Sequence, residues 1–271
     1  YNGLIGVSCG ASSRLRVHHN LIHNMSSIGI LTSEDVSKGA VDLEVHDNVI
    51  YDCNINLRVH HYNNCLPGQR REYHYRNLFY QRPNLGTHIY FHLMDKQMRK
   101  GREHPEIFIY HNSFAGGERS VCVSAWAPDA GGLARTAIIN NILSSKICFY
   151  ASKPLVSGDT MMGAFDHNWL GGRFNHGAAV WLGPSNIRAL DEAMWPDDKP
   201  PDYALPQDSP ARARGLDLSR PFEANGKKFA ALPGMEPGYF KGTAPDLGAL
   251  QAGDSFAAGP DAAPAVQAKE R

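Results

Sequence analysis

The sequence predicts an all-β fold, a single-stranded right-handed parallel β-helix of three-strand coils with an irregular C-terminal cap. Three observations carry that prediction. First, one asparagine recurs with the same flanks: Asn20 in VHHNLI, Asn48 in VHDNVI, Asn77 in HYRNLF, Asn112 in IYHNSF, Asn141 in IINNIL and Asn168 in FDHNWL, at intervals of 28, 29, 35, 29 and 27 residues. Second, of the twelve positions two after and three before these asparagines, eleven are apolar, His74 being the exception. Third, apolar residues alternate within a unit, as in Val41, Leu43, Val45 and again in Ile55, Leu57, Val59. A repeat of about 20–50 residues with two-residue alternation inside it is a solenoid whose rungs are strands. An Asn at one fixed turn can pass amide hydrogen bonds from rung to rung, roughly 4.8 Å apart, and satisfy buried turn backbone.

Taken in order, Gly3 to Cys9 alternates like the last strand of an earlier coil, so further coils are expected upstream. Leu15 and Val17 start the first complete coil, Leu21 and Ile22 continue it past Asn20, and Ile28 with Ile30 ends it. Each later unit repeats this order, and polar loops follow the third strand, at 33–40, 62–71, 94–105, 126–133 and 153–162. The motif stops after Trp181, and Ile187, Leu190 and Met194 are spaced for a short helix over 186–195. The expected organisation is a β-helix of about six to seven coils over 1–183, a cap over 184–250 and an Ala- and Pro-rich disordered tail over 251–271.

Composition narrows the function classes. The 27 basic and 27 acidic residues cancel, so no global field favours nucleic acid or an anionic membrane surface. No run of about 18 apolar residues provides a membrane span, and no stretch reads as a signal peptide. Five cysteines without a CxxC spacing indicate neither a disulfide framework nor a zinc site.

The VHHNLI, VHDNVI and IYHNSF units resemble the coils of the pectate-lyase-like right-handed parallel β-helix family, over residues 1–183. The later DYAL, SPARARG and DLGA segments resemble the ending of secreted bacterial β-helix proteins, there to cover the open last rung. The resemblance implies a secreted, periplasmic or cell-surface protein that acts on a polysaccharide as a monomer, sometimes with calcium. No other cofactor is expected. It also implies that the third strand of each coil floors a carbohydrate-binding cleft, here 28–33, 56–61, 88–93, 120–125, 147–152 and 178–183. Lyases, hydrolases, epimerases and non-catalytic adhesins share the fold, so activity must be argued from the site.

With Ile30, Val59, Phe91, Val123, Phe149 and Val180 pointing inward, alternation exposes their neighbours on that floor. Coil two then shows Asn56, Arg58 and His60, coil three His88, Tyr90 and His92, and the later coils Ser120, Cys122, Ser124, Cys148, Tyr150 and Trp181. We expect His60, His92 and Tyr90 to transfer protons and Arg58 to neutralise a substrate carboxylate. His88, Asn56, Tyr150, Trp126 and Trp181 are expected to contact substrate, with Arg70, Arg71, Lys96, Arg99, Lys100 and Arg102 as a basic rim in the loops. Lys96 and Arg99 are an alternative base and acid. Five other histidines, His18, His19, His46, His111 and His167, lie just before ladder asparagines and are expected to be structural. The floor has no Asp or Glu, whereas a glycosidase needs two carboxylates across the scissile bond. Such a pair would have to come from loops, through Asp95, Glu103 or Asp129. The chemistry therefore favours β-elimination or epimerisation of a uronate over hydrolysis, with a non-catalytic carbohydrate-binding protein as the rival class. Glu103 and Glu106 are the only compact acidic pair that suggests calcium.

Overall fold

The two-residue alternation of each unit becomes strand, and each strand pairs in parallel with its copy one coil away. A computed structural model describes residues 3–10, 14–33, 41–62, 65, 68, 70–82, 84–94, 103–123, 133–151, 163–175, 182–189, 194–195, 204–251 and 254. They form a parallel β-solenoid with three sheets of seven, six and seven strands, and among them there is no α-helix. The floor sheet runs through Ile5–Cys9, Ile28–Ser33, Ile55–Tyr62, Thr87–Met94, Arg119–Val123, Ile147–Ala151 and Arg173–Phe174. The first back sheet begins with Leu15–His18 and Val41–His46, and the second with Leu21–His23 and Val49–Tyr51.

The repeat's apolar positions fill the lumen. Ile50, Phe79, Phe114, Leu143 and Leu170 form one buried column and Val45, Ile109, Ile138 and Phe165 another, closed on the floor side by Ile30, Leu57, Ile89, Val121 and Phe149. Each such side chain contributes about 1.5–3 kcal/mol on burial, and only the stacking of coils removes both its flanks from water.

The asparagines form a continuous ladder at the corner between the two back sheets. The side-chain amide of each donates to the Oδ1 of the next, from Asn20 to Asn48 (2.9 Å) through Asn141 to Asn168 (3.0 Å). The same Oδ1 accepts the backbone N–H of the preceding asparagine at 2.9–3.1 Å. The residue before each asparagine, from His19 and Asp47 through Arg76, His111 and Asn140 to His167, holds a left-handed backbone with φ of 50–59°. That conformation costs roughly 1–2 kcal/mol in a non-glycine residue, and the ladder's buried hydrogen bonds offset it.

The end of the solenoid differs from the sequence reading in three ways. Asn186 extends the ladder as a further member, accepting from Asn168 at 3.1 Å, although it follows Asn168 by only 18 residues. Ile187–Arg188, expected in a helix, is instead a strand of the second back sheet paired with Trp169–Leu170, because the ladder sets its backbone before helical spacing can act. Arg173–Phe174 is a floor strand that the sequence reading did not place, residues 178–181 of the expected strand 178–183 lie outside the described residues, and the Gly183 N–H bonds the Phe165 carbonyl beside the first back sheet. Gly172 permits this tight corner, since a Cβ there would strike the Ser145 carbonyl.

The described part of the C-terminal segment packs along the flanks of the coils. The outer faces of the back sheets carry Leu78, Ile142 and Trp169 on one and Tyr73, Tyr110 and Ile139 on the other, and both need cover. Leu205, Ala211, Leu247 and Leu250 supply it on the second sheet, and Leu218, Phe222, Leu232 and Met235 on the first. Tyr110 donates to the Pro233 carbonyl at 2.7 Å and Asn140 to the Leu216 carbonyl at 2.7 Å. Gly234, at φ 69°, lies where any Cβ would meet the Tyr75 ring. The floor sheet therefore faces away from the segment that covers the other two.

Candidate functional site

Register places four of the expected residues together on the outer face of the floor sheet. Arg58 pairs with Tyr90 and His60 with His92, and the row of Arg58 continues through Tyr90 and Cys122 to Tyr150. The His60 and His92 rings stack with centroids 4.6 Å apart. Tyr90 meets His92 edge-on at 6.1 Å, and the Arg58 guanidinium lies 5.8 Å from the Tyr90 ring centre. All four side chains are partly buried.

Arg58 fixes the state of His92. Its Nη2 donates to His92 Nδ1 at 2.5 Å, and because a guanidinium has no lone pair to offer, Nδ1 must be the acceptor. A neutral His92 then carries its proton on Nε2. Burial and the Arg58 charge both lower the His92 pKa, so the neutral ring prevails at neutral pH.

Several expected floor residues are turned into the coil. Asn56, His88, Ser120 and Cys148 are all buried at the corner where the second back sheet hands over to the floor, so the strict alternation that placed them outside fails there. The corner's own polar groups draw them in. Asn56 donates to the Tyr80 carbonyl (3.3 Å), His88 bonds the Gly116 carbonyl (3.1 Å), the Cys148 thiol bonds the Leu143 carbonyl (3.2 Å) and Ser120 bonds Ser145 (2.8 Å). Asn56 and His88 also touch each other at 3.0 Å. Burial lowers the His88 pKa to about 4.

Arg70 and Arg71 do not rim the cleft, because the strand Arg70–Tyr75 begins where a loop was expected. Arg71 pairs on the first back sheet with Glu106, at 3.4 Å. Arg70 is inside the coil and gives Nε and Nη2 to one oxygen of Glu72, at 3.0 and 2.6 Å. His61 Nε2 lies 2.9 Å from the same carboxylate and His74 Nε2 3.3 Å from its other oxygen. Burial pushes the Glu72 carboxyl up, but the His61 and Arg70 charges with the hydrogen bonds of His61 and His74 outweigh it, and the carboxyl stays well below its usual range. His74 Nδ1 is buried without a hydrogen-bond partner. Sequence reasoning missed this cluster, although His74 was the one polar residue at an inward repeat position.

It also missed Arg119, placed one residue before the expected floor strand. Arg119 faces the floor, with its guanidinium 4.2 Å from the Tyr150 ring centre. A census of partners sets it apart. Of the partly or fully buried arginines among the described residues, Arg70 binds Glu72, Arg76 Asp47, Arg135 Glu103 and Glu106, and Arg212 Asp246. Arg58 and Arg119 pair with no carboxylate of the described residues, and both lie on the floor sheet. A partly desolvated cation without a counter-ion is costly to keep, and such sites recur where an anion binds.

The acidic pair proposed for calcium does not fit it, since Arg135 bridges Glu103 (2.7 Å) and Glu106 (3.2 Å). Among the described residues no group of three His, Cys, Asp or Glu is placed to hold a metal ion. None of the five cysteines forms a disulfide, and all five are buried. Lys96, Arg99, Lys100, Arg102, Trp126 and Trp181, with Asp95, Ser124, Asp129 and Val180, lie outside the described residues.

Fold and site together define a parallel β-solenoid with a cationic, histidine- and tyrosine-bearing face. No family model, curated protein or solved structure matches the chain.

Proposed function

We propose that the floor sheet acts on an acidic, uronate-containing polysaccharide by abstracting the proton next to the carboxylate. The observation that carries this reading is Arg58, a partly buried guanidinium without a carboxylate partner among the described residues, beside a stacked histidine pair and a tyrosine. Arg58 spends one donor on His92 and keeps others for a substrate carboxylate, whose binding there acidifies the adjacent C–H. His92, with Nδ1 engaged, has no free lone pair, so the base is His60. His60 takes the proton, and the C–H electron pair forms a carbon–carbon double bond as the adjacent C–O bond breaks. The leaving oxygen takes a proton from the Tyr90 hydroxyl or His92 Nε2. Return of the proton to the opposite face of the same carbanion, without C–O cleavage, would be epimerisation.

The test is a panel of alginate, pectate and glycosaminoglycans, followed by ultraviolet absorbance of the unsaturated product and by NMR for inverted uronates. We expect turnover on at least one, with His60→Ala and His92→Ala each lowering it by about 10²- to 10⁴-fold while circular dichroism stays unchanged. Binding without either product would indicate a non-catalytic carbohydrate-binding solenoid. Wild-type rates in both variants would refute the assignment of the histidines.

A further inference from the structure

We infer that Arg119 and Tyr150 form a second acidic-sugar subsite, so that the ligand is an extended polyanion lying along the solenoid axis and not one isolated uronate. This inference rests on the reading of Arg58 as the first carboxylate site.

Three observations converge on it. Arg119 shares with Arg58 the property that no carboxylate of the described residues neutralises it, although four other buried or partly buried arginines are each paired. Its Nε is buried without a hydrogen-bond partner, and the side-chain partner it does have, the Cys122 thiol, is a weak acceptor that carries no balancing charge. Its guanidinium lies over the Tyr150 ring, 4.2 Å from the ring centre, so a group suited to bidentate pairing with a carboxylate stands beside an aromatic surface. An acidic pyranose offers both a carboxylate and an apolar ring face.

Register then sets the separation. Arg58, Tyr90, Cys122 and Tyr150 occupy one row on four successive strands, so the Arg58 and Tyr150 backbones are three strand spacings, about 14 Å, apart. A single sugar or a disaccharide is too short to reach from Arg58 to Tyr150, over which the Arg119 guanidinium lies, whereas a tetrasaccharide spans them. Tyr90 lies between as an intermediate surface. Linking two weak subsites in this way raises affinity with chain length.

Isothermal titration of the whole chain with mono-, di- and tetrasaccharides of galacturonate and of mannuronate, at low salt, tests this. Cellotetraose is the neutral control. In the wild type we expect the tetrasaccharide of at least one series to bind at least about tenfold more tightly than the disaccharide. Arg119→Gln should erase that gain and leave disaccharide binding as it was, and Arg119→Lys, which keeps charge without a planar fork, should restore only part of it. If Arg119→Gln binds the tetrasaccharide as the wild type does while Arg58→Gln loses every length, the second subsite is wrong and the first stands. If the wild type binds no acidic oligomer, or binds cellotetraose equally well, both readings fail.

Discussion

The asparagine corner and the floor sheet are built on the same rungs and have opposite logic. At the corner one residue is repeated, and each ladder amide from Asn48 to Asn168 meets the asparagine of the next rung and a back-strand carbonyl of the preceding one. On the floor the row Arg58, Tyr90, Cys122, Tyr150 never repeats on neighbouring rungs, and two of the guanidiniums beside it lack a carboxylate partner among the described residues. Repetition closes hydrogen bonds and gives stability. Variation leaves groups open, and recognition needs open groups.

The sharpest way to break that contrast is to perturb the charged cluster with which variation has entered the interior. Glu72→Gln leaves Arg70 buried without its carboxylate, and we expect a loss of about 3–5 kcal/mol in urea unfolding. A loss under about 1 kcal/mol would mean that the cluster is not a closed ionic unit.

Within the ladder, position should decide the cost. Asn77 is buried and donates to the Val45 carbonyl (2.8 Å), the Tyr75 carbonyl (3.1 Å) and Asn112 (3.0 Å), so Asn77→Ala should cost about 3–4 kcal/mol. Asn20, exposed on the first described rung, should cost only about 1 kcal/mol when changed to Ala. Equal losses would deny that the ladder acts through its neighbours.

Acid should act through buried histidines at both corners. Burial lowers His88 and His111 from 6.5 to about 4. A depressed folded pKa means stability that is complete above the unfolded pKa and lost as pH falls towards the folded one. The unfolding free energy should therefore be flat above about pH 6.5 and decline from there to pH 4, by at most about 3 kcal/mol for each histidine. Glu72, also depressed, adds its loss at still lower pH. His88→Gln should flatten the decline measurably, and an unchanged slope would contradict the buried neutral state.

The smallest stability effect belongs to the floor. Arg58→Gln and Arg119→Gln remove cations that no described carboxylate balances, so stability should change by less than about 1 kcal/mol, or rise, while ligand binding falls. A loss of several kcal/mol in either would assign that arginine to the architecture instead.

Much of this was legible in the residues themselves. Six recurrent asparagines, with apolar positions at fixed offsets, determined the solenoid, its rung height and the inward columns, because a repeat of one residue at one turn has few other stable solutions. Two-residue alternation also put Arg58, His60, Tyr90 and His92 on one face, since mid-strand side chains must alternate. At the corners that rule fails. Only the tertiary structure decided that Asn56 and His88 turn inward, because buried turn carbonyls compete for them. Only the fold brought Glu72 between Arg70, His61 and His74 across a loop, and laid the described part of the C-terminal segment along the coils' flanks. The absence of a carboxylate partner for Arg58 and Arg119 among the described residues likewise depends on which side chains meet across rungs, a relation between residues about 30 apart or more that local pattern does not encode.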